Sequence, residues 1–391
     1  MPIQKGIIDV LLARNICILT FFLALLCYVP VVTEGQMVSE TVRFTTEDGI
    51  ELVGRIDRIQ SELMVRGMIL APGGFSWLES DPFFDRIPTI LASKGLAVLS
   101  MTPRRMIQAT WKNSTFEDTA KDIRAAVEFM KGRGVTSVYL GGHSNGASEA
   151  IYYAGQMKDP PIRALVVYAT GPGVFRGSLI RLVGEQEYSR IVGEAKDLVS
   201  RGRGDETVYT GRMTSDMRSI PFSARTLLSW AGPDSKGSPV QNIRSVAVPV
   251  LVLVHEKDPL PSLNRWVWGN ATASRKADFK LYTVGTSGNP HWFRGFEEQA
   301  VQDTADWLNS LPTTTSTTSA RVTQTVTTTG GATRSGTSSV TSTTILSTSP
   351  PQQSTPPSSE GMLMIVAVVL VVSFAVSLTI HRLRHKPSKK R

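Results

Sequence analysis

The sequence predicts an α/β fold, a mostly parallel sheet with helices on both faces. Three observations predict it. From Gln36 to Leu311, short apolar runs alternate with stretches of helical period. The strongest runs, Val135–Leu140 and Val248–His255, are almost wholly apolar, as strands covered on both faces must be. One of them ends in Gly142-His143-Ser144-Asn145-Gly146, directly before a helical pattern from Ala147. A sharp strand-to-helix turn needs small residues flanking its apex, and it lifts the apex side chain out of the sheet.

Taken in order, Thr41–Thr46 and Ile50–Ile56 alternate around the turn signal Glu47-Asp48-Gly49 and predict a hairpin. Gly67–Ala71 is a short buried strand ending in Pro72-Gly73-Gly74-Phe75. Phe83–Ser93 predicts a helix and Leu96–Met101 a strand. Phe116–Lys131 carries Ile123, Ala126, Val127 and Met130 at helical spacing. The helix after Ser144 extends to about Met157, and Ala164–Ala169 is the next strand. From Gly171 to Val246 the rhythm breaks. Leu179–Ser200 and Phe222–Trp230 are helical in pattern and no strand stands out, so this stretch predicts a helical cap inserted over the strand C-termini. Phe279–Val284 is the last strand and Phe293–Leu308 the closing helix. Trp230, Leu227, Leu228 and Phe222 have two possible uses, lining an apolar pocket or packing the cap, with packing the weightier.

The flanks differ from this domain of 36–311. Lys5 and Arg14 precede an apolar run, Ile16–Val32, so residues 1–35 resemble a signal peptide or an uncleaved signal anchor. Residues 312–361 turn abruptly to Thr, Ser, Gly and Pro. Such a stretch cannot bury enough apolar surface to offset its ordering entropy, and it predicts a disordered stalk, a natural carrier of glycans. Met362–Ile380 is apolar and uncharged, long enough for a transmembrane helix. The basic tail 381–391 then stays in the cytoplasm, which puts the domain outside the cell, anchored at the surface. Asn113-Ser114-Thr115 and Asn270-Ala271-Thr272 are glycosylation sequons.

Composition excludes several functions. The net charge is +9, but the last eleven residues hold six Lys and Arg and no acid, and without those six the chain stands at +3. That is no nucleic-acid footprint. Both cysteines, Cys17 and Cys27, lie in the N-terminal apolar segment, which leaves the domain without disulfides or a Cys/His zinc site. No His pair at metal-ligand spacing appears, and no cofactor motif.

The chemistry centres on Ser144. A serine hydroxyl needs a base to take its proton and a third group to orient the base. After a nucleophile elbow the expected order is Ser, acid, His. Asp258 follows the strand Val248–His255, and His291 follows the last strand. Of the five histidines, His381 and His385 are in the tail, His143 is in the elbow and His255 ends a strand, which leaves His291. Glu256 competes with Asp258 from two residues away. An oxyanion would be met by the Asn145 N–H and by that of Gly74 or Phe75.

The Gly-His-Ser-Asn-Gly elbow, the run Val-Pro-Val-Leu-Val-Leu-Val-His-Glu-Lys-Asp and the final loop histidine together resemble the α/β-hydrolase superfamily, over about Thr41–Leu308. The resemblance implies an eight-stranded sheet, a cap at 171–246 and a triad of Ser144, Asp258 and His291. Two departures stand out. Ala-Pro-Gly-Gly replaces the His-Gly of many members, and no Gly follows His255. A serine apex favours acyl transfer over the chemistry of the Asp-apex members. The expected function is a serine esterase acting on a small-molecule ester or thioester. A peptidase of the same fold and a catalytically inactive surface binding module are the alternatives.

Overall fold

The computed structural model describes residues 35–312, apart from 61–62, 75–80, 157–160, 216 and 272–276. Its main sheet has eight strands: β1 (Met37–Thr45), β2 (Glu51–Ile59), β3 (Arg66–Ala71), β4 (Ala97–Thr102), β5 (Ser137–His143), β6 (Ala164–Tyr168), then Val250–His255 and Ala277–Tyr282. A two-stranded ribbon, β7 (Thr207–Gly211) and β8 (Ile220–Ser223), comes between, so the last two are β9 and β10. The order across the sheet is β1-β2-β4-β3-β5-β6-β9-β10. Both pairings of β2 are antiparallel, and every other neighbour in the sheet is parallel.

The apolar runs predicted as doubly covered strands are so. In β5, Val138 and Leu140 join the core on one face and Tyr139 the core on the other. In β9, Val250 and Val252 face one way, Leu251 and Leu253 the other. Helices α1 (Ile87–Ser93) and α9 (Glu297–Asn309) supply Leu91, Ala300 and Val301 to one core. Helices α2 (Thr119–Gly132) and α3 (Asn145–Gln156) supply Ile123, Val127, Ala147 and Ile151 to the other. All strands and helices of the predicted sheet domain are found within a few residues of their expected ends.

The insertion at 171–246 differs from its expected all-helical character. Gly184, at φ 85°, breaks the expected helix Leu179–Ser200 into α4 (Arg176–Val183) and α5 (Glu185–Ser200). The ribbon β7–β8 follows. Its strands are short, β7 is polar and half exposed, and β8 contains Pro221, so neither carries an apolar run to read. Phe222 and Ser223 end that ribbon. Ser223 Oγ then caps α6 (Ala224–Ala231) by accepting from Thr226 N at 3.4 Å. The short α7 (Pro239–Asn242) returns the chain to β9, and α8 (Pro261–Asn270), a helix not among those predicted, links β9 to β10.

Packing decides the use of the cap aromatics. Phe222, Leu227 and Trp230 are fully buried in the cap's own core, and Leu228 is half buried. Trp230 stands edge-on to Phe116 at 5.0 Å, and its Nε1–H donates to Ser114 O at 2.7 Å, which ties the cap to the segment before α2. Asn113 of the first sequon is exposed. The amide of Asn270 in the second is engaged by Arg244 and by the Trp266 carbonyl.

Among the described residues no helix is long and apolar enough to cross a membrane. The expected signal segment, stalk, span at 362–380 and tail lie outside the described residues, save Gly35 and Pro312 at their inner ends.

Trp230→Ala would remove a buried indole together with its hydrogen bond, a loss of about 3–5 kcal/mol. Urea denaturation is the measurement, and an unchanged midpoint would show that Trp230 does not hold the cap.

Candidate active site

Ser144 sits at the end of β5 with φ 53°, in the left-handed region that a non-glycine residue rarely adopts. The surroundings enforce it. Ser144 N donates to Tyr168 O at 3.0 Å, and Ser144 O accepts from Ala147 N at 3.1 Å and Gly171 N at 2.8 Å. The flanking glycines are required by contact. A Cβ at Gly142 would lie 2.3 Å from Gly146 O, and one at Gly146 would lie 2.3 Å from Ala71 O and 2.4 Å from Pro72 O.

The three residues singled out in the sequence meet. His291 Nε2 lies 2.9 Å from Ser144 Oγ, and His291 Nδ1 lies 2.7 Å from Asp258 Oδ2. A carboxylate acceptor places the ring proton on Nδ1 and turns Nε2 toward the hydroxyl as an acceptor. Asp258 is buried in the loop after β9, where its other oxygen accepts from Leu260 N at 2.7 Å. Its competitor Glu256 is exposed to solvent. The missing glycine after His255 therefore does not displace the carboxylate. His255 is a packed residue, as expected: Nε2–H donates to Val284 O at 2.8 Å, and Nδ1 accepts from Lys257 N at 3.0 Å. His291 itself is set by a short 3-10 turn, Pro290–Trp292, which Asn289 caps by accepting His291 N–H at 3.0 Å. Phe293 follows at φ 62° and is fully buried between the rings of Phe83, Tyr168 and Phe296.

Four supporting residues escaped the sequence reading. His143 Nε2–H donates to His291 O at 2.8 Å, its Nδ1 faces Asp81 Oδ2 at 3.3 Å, and its ring stacks on Phe83 at 4.5 Å. Both nitrogens thus face acceptor oxygens. Asp81 also accepts from Gly73 N at 3.2 Å and Phe83 N at 3.1 Å. Burial alone would raise the Asp81 carboxyl, but His143 and the two N–H groups outweigh it and hold it below its ordinary value.

The other two are a fully buried ion pair, Arg105 and Glu149. Arg105 donates to Glu149 through Nε and, at 3.1 Å, through Nη2. It also donates to Pro72 O at 2.7 Å and to Gly74 O. Glu149 in turn accepts from Asn145 Nδ2 at 3.2 Å. Burial pushes the Glu149 carboxyl up, and Arg105 opposes that. The pair therefore ties the loop after β3 to the first turns of α3. A signal for it existed: Glu149 is the one acid of α3, a helix otherwise lined with Ala147, Ala150, Ile151 and Ala154 on its buried side, and such an acid needs a cation.

A cavity of about 630 Å³ opens on Ser144, Asn145 and His291, with Gly74 on its wall. Of the expected oxyanion donors, Asn145 begins α3, where N–H groups have no partner within the helix. Gly74 takes φ 55° beside the cavity, and Phe75 lies outside the described residues. Gly73 N–H is committed to Asp81. Among the described residues no group of three His, Cys, Asp or Glu is placed to hold a metal.

A family model described as a protein of unknown function (DUF1749) matches residues 67–238. No curated protein matches the chain. Among solved structures, DcsB in complex with its substrate analogue is similar at TM-score 0.52 and 16% identity, over 70% of this chain and 99% of that one. A hypothetical protein from Pseudomonas aeruginosa is similar at TM-score 0.52 and 12% identity, over 72% and 95%. An esterase from Pyrococcus furiosus has TM-score 0.47 and 16% identity, over 70% and 92%. At these identities the likeness is one of fold.

Two stability measurements test this site. Arg105→Met strands a buried carboxylate and is expected to cost about 3–5 kcal/mol, while adding Glu149→Leu recovers most of that loss. A double-variant loss equal to the sum of the Arg105→Met and Glu149→Leu losses would mean that the two side chains are not coupled. Asp81, held low in the folded state, contributes stability that is present above the ordinary carboxylate range of about 4 and fades as pH falls through its folded-state value. Asp81→Asn is therefore expected to lower Tm at neutral pH and to flatten its decline toward acid, and an unaltered acid limb would contradict this.

Proposed function

Taking the α/β-hydrolase fold of this chain as the premise, we propose a membrane-tethered serine hydrolase that acts outside the cell on carboxylic esters or thioesters. The reaction proceeds through an acyl-enzyme on Ser144. The observation that carries this reading is the unbroken hydrogen-bonded chain from Asp258 through His291 to Ser144, opening on the cavity.

In this reading His291 Nε2 takes the Ser144 proton as Oγ bonds to the acyl carbon, and the tetrahedral oxyanion faces the Asn145 N–H. Asp258 holds the imidazolium in place. Collapse breaks the bond to the alkoxide or thiolate, which takes the proton from His291. Water then attacks the acyl-enzyme by the same route in reverse roles, and the acid leaves. The tether is supported by sequence: the apolar run Met362–Ile380, the basic tail after it and the Thr/Ser-rich stretch before it.

The test uses the full-length protein with a fluorophosphonate probe and short-chain p-nitrophenyl esters. Labelling and turnover are expected in the wild type. Ser144→Ala abolishes labelling, and Asp258→Asn lowers kcat by about 10⁴-fold. Ser144→Ala/His291→Ala is expected to be no worse than either single change, because the groups act as one unit. A folded wild type that is neither labelled nor active on a broad ester panel would defeat the enzyme reading and leave a binding module.

A further inference from the structure

The cavity above Ser144 is not uniform. Its cap-side wall brings in two arginines, Arg181 from α4 and Arg218 from the turn before β8. Arg181 donates from Nη2 to Ser178 Oγ at 3.0 Å. Neither guanidinium forms an ion pair with a carboxylate among the described residues, and no Asp or Glu is among the described residues lining the cavity. Four other cap arginines pair with acids, Arg190 with Glu187 and Glu194, Arg201 with Asp197, Arg203 with Glu206 and Arg225 with Asp205, while Arg176 lies over the Tyr188 ring and Arg212 donates to Ser215 O. The same cavity is lined by the apolar side chains Val174, Phe175, Met217 and Leu260.

Resting on the hydrolase reading above, we propose that the substrate is an ester whose acyl group ends in a carboxylate, with Arg181 and Arg218 as its anchor. The chemistry follows from the three kinds of surface that line one cavity. The carbonyl carbon lies at Ser144, a short apolar chain runs along Val174, Phe175 and Met217, and the terminal carboxylate meets two planar guanidinium groups. A guanidinium presents paired N–H donors that match the two oxygens of a carboxylate. Two cations with no ion pair among the described residues also repel amine-bearing acyl groups, so the site discriminates by charge as well as by fit.

The experiment compares mono-p-nitrophenyl adipate with p-nitrophenyl hexanoate on the full-length protein. These esters share a six-carbon acyl chain and differ in its terminal group. At low salt kcat/KM is expected to favour the adipate ester by about tenfold or more, with the difference in KM and a decline as salt is raised. Arg181→Gln/Arg218→Gln should bring the ratio close to one, and Arg181→Lys/Arg218→Lys should keep part of it. A wild-type ratio of one or below, or one that the Gln pair does not change, overturns the proposal. A second readout separates its failure from that of the hydrolase reading. Calorimetric titration of free adipate into full-length Ser144→Ala should show saturable binding that the added Gln pair removes. Should the wild type hydrolyse neither ester, this titration alone decides, and no saturable binding overturns the anchor.

Discussion

The first turn of α3 lies directly on the carbonyls that end β3, and the rest of the site depends on that contact. It is close enough that Gly146 has no room for a methyl group beside Ala71 and Pro72. The approach forces β5 into α3 with no connecting residue beyond Ser144, which accounts for the left-handed backbone at that position. It also sets the Asn145 N–H and the 72–74 loop on the same side of the sheet as the Ser144 hydroxyl. Strain at one residue is held because several hydrogen bonds over-determine it: Tyr168 O, Ala147 N and Gly171 N all engage the Ser144 backbone.

The same strand ends explain why much of the fold and site could be read in the sequence. Strands covered on both faces must be apolar at every position, so β5, β6 and β9 announce themselves without an alignment. Ser144 and Asp258 each follow such a strand within a few residues, while His291 follows the half-exposed edge strand β10 after a longer loop, and the order Ser, Asp, His along the chain marked all three. What could not be read is what depends on tertiary meeting. Asp81 and Arg105 sit in loops of ordinary composition, and nothing local says that one caps Gly73 while the other grips Gly74. Cap strands β7 and β8 carry no local signal for the opposite reason: both are short, β7 is polar and half exposed, and β8 is four residues interrupted by Pro221.

The cap and the sheet divide the work of recognition. The sheet side supplies Ser144, His291 and Asp258, all on loops after strands fixed by two cores. The cap side supplies the apolar wall and Arg181 and Arg218, carried on elements whose own core, around Trp230 and Phe222, is separate from the two sheet cores. Changes in α4 or the ribbon can therefore reshape this wall of the cavity while leaving the Ser144 contacts with Tyr168, Ala147 and Gly171 in place.

Two buried polar pairs flank Ser144, the hydrogen-bonding His143 and Asp81 on one side and the ion pair Arg105–Glu149 on the other. Burying such pairs is no general route to stability, because desolvation cancels much of the attraction. Their partners indicate another use. Asp81 fixes Gly73 N, His143 fixes the carbonyl of His291, Arg105 fixes the carbonyls of Pro72 and Gly74, and Glu149 fixes the side chain of Asn145. Each contact restrains a segment that carries either His291 or a residue beside Ser144 and the cavity. An apolar replacement of matching volume would fill the same space and leave those carbonyls and N–H groups without partners. The charges are therefore best understood as positional restraints, spent where a displacement of an ångström would separate Ser144 from His291.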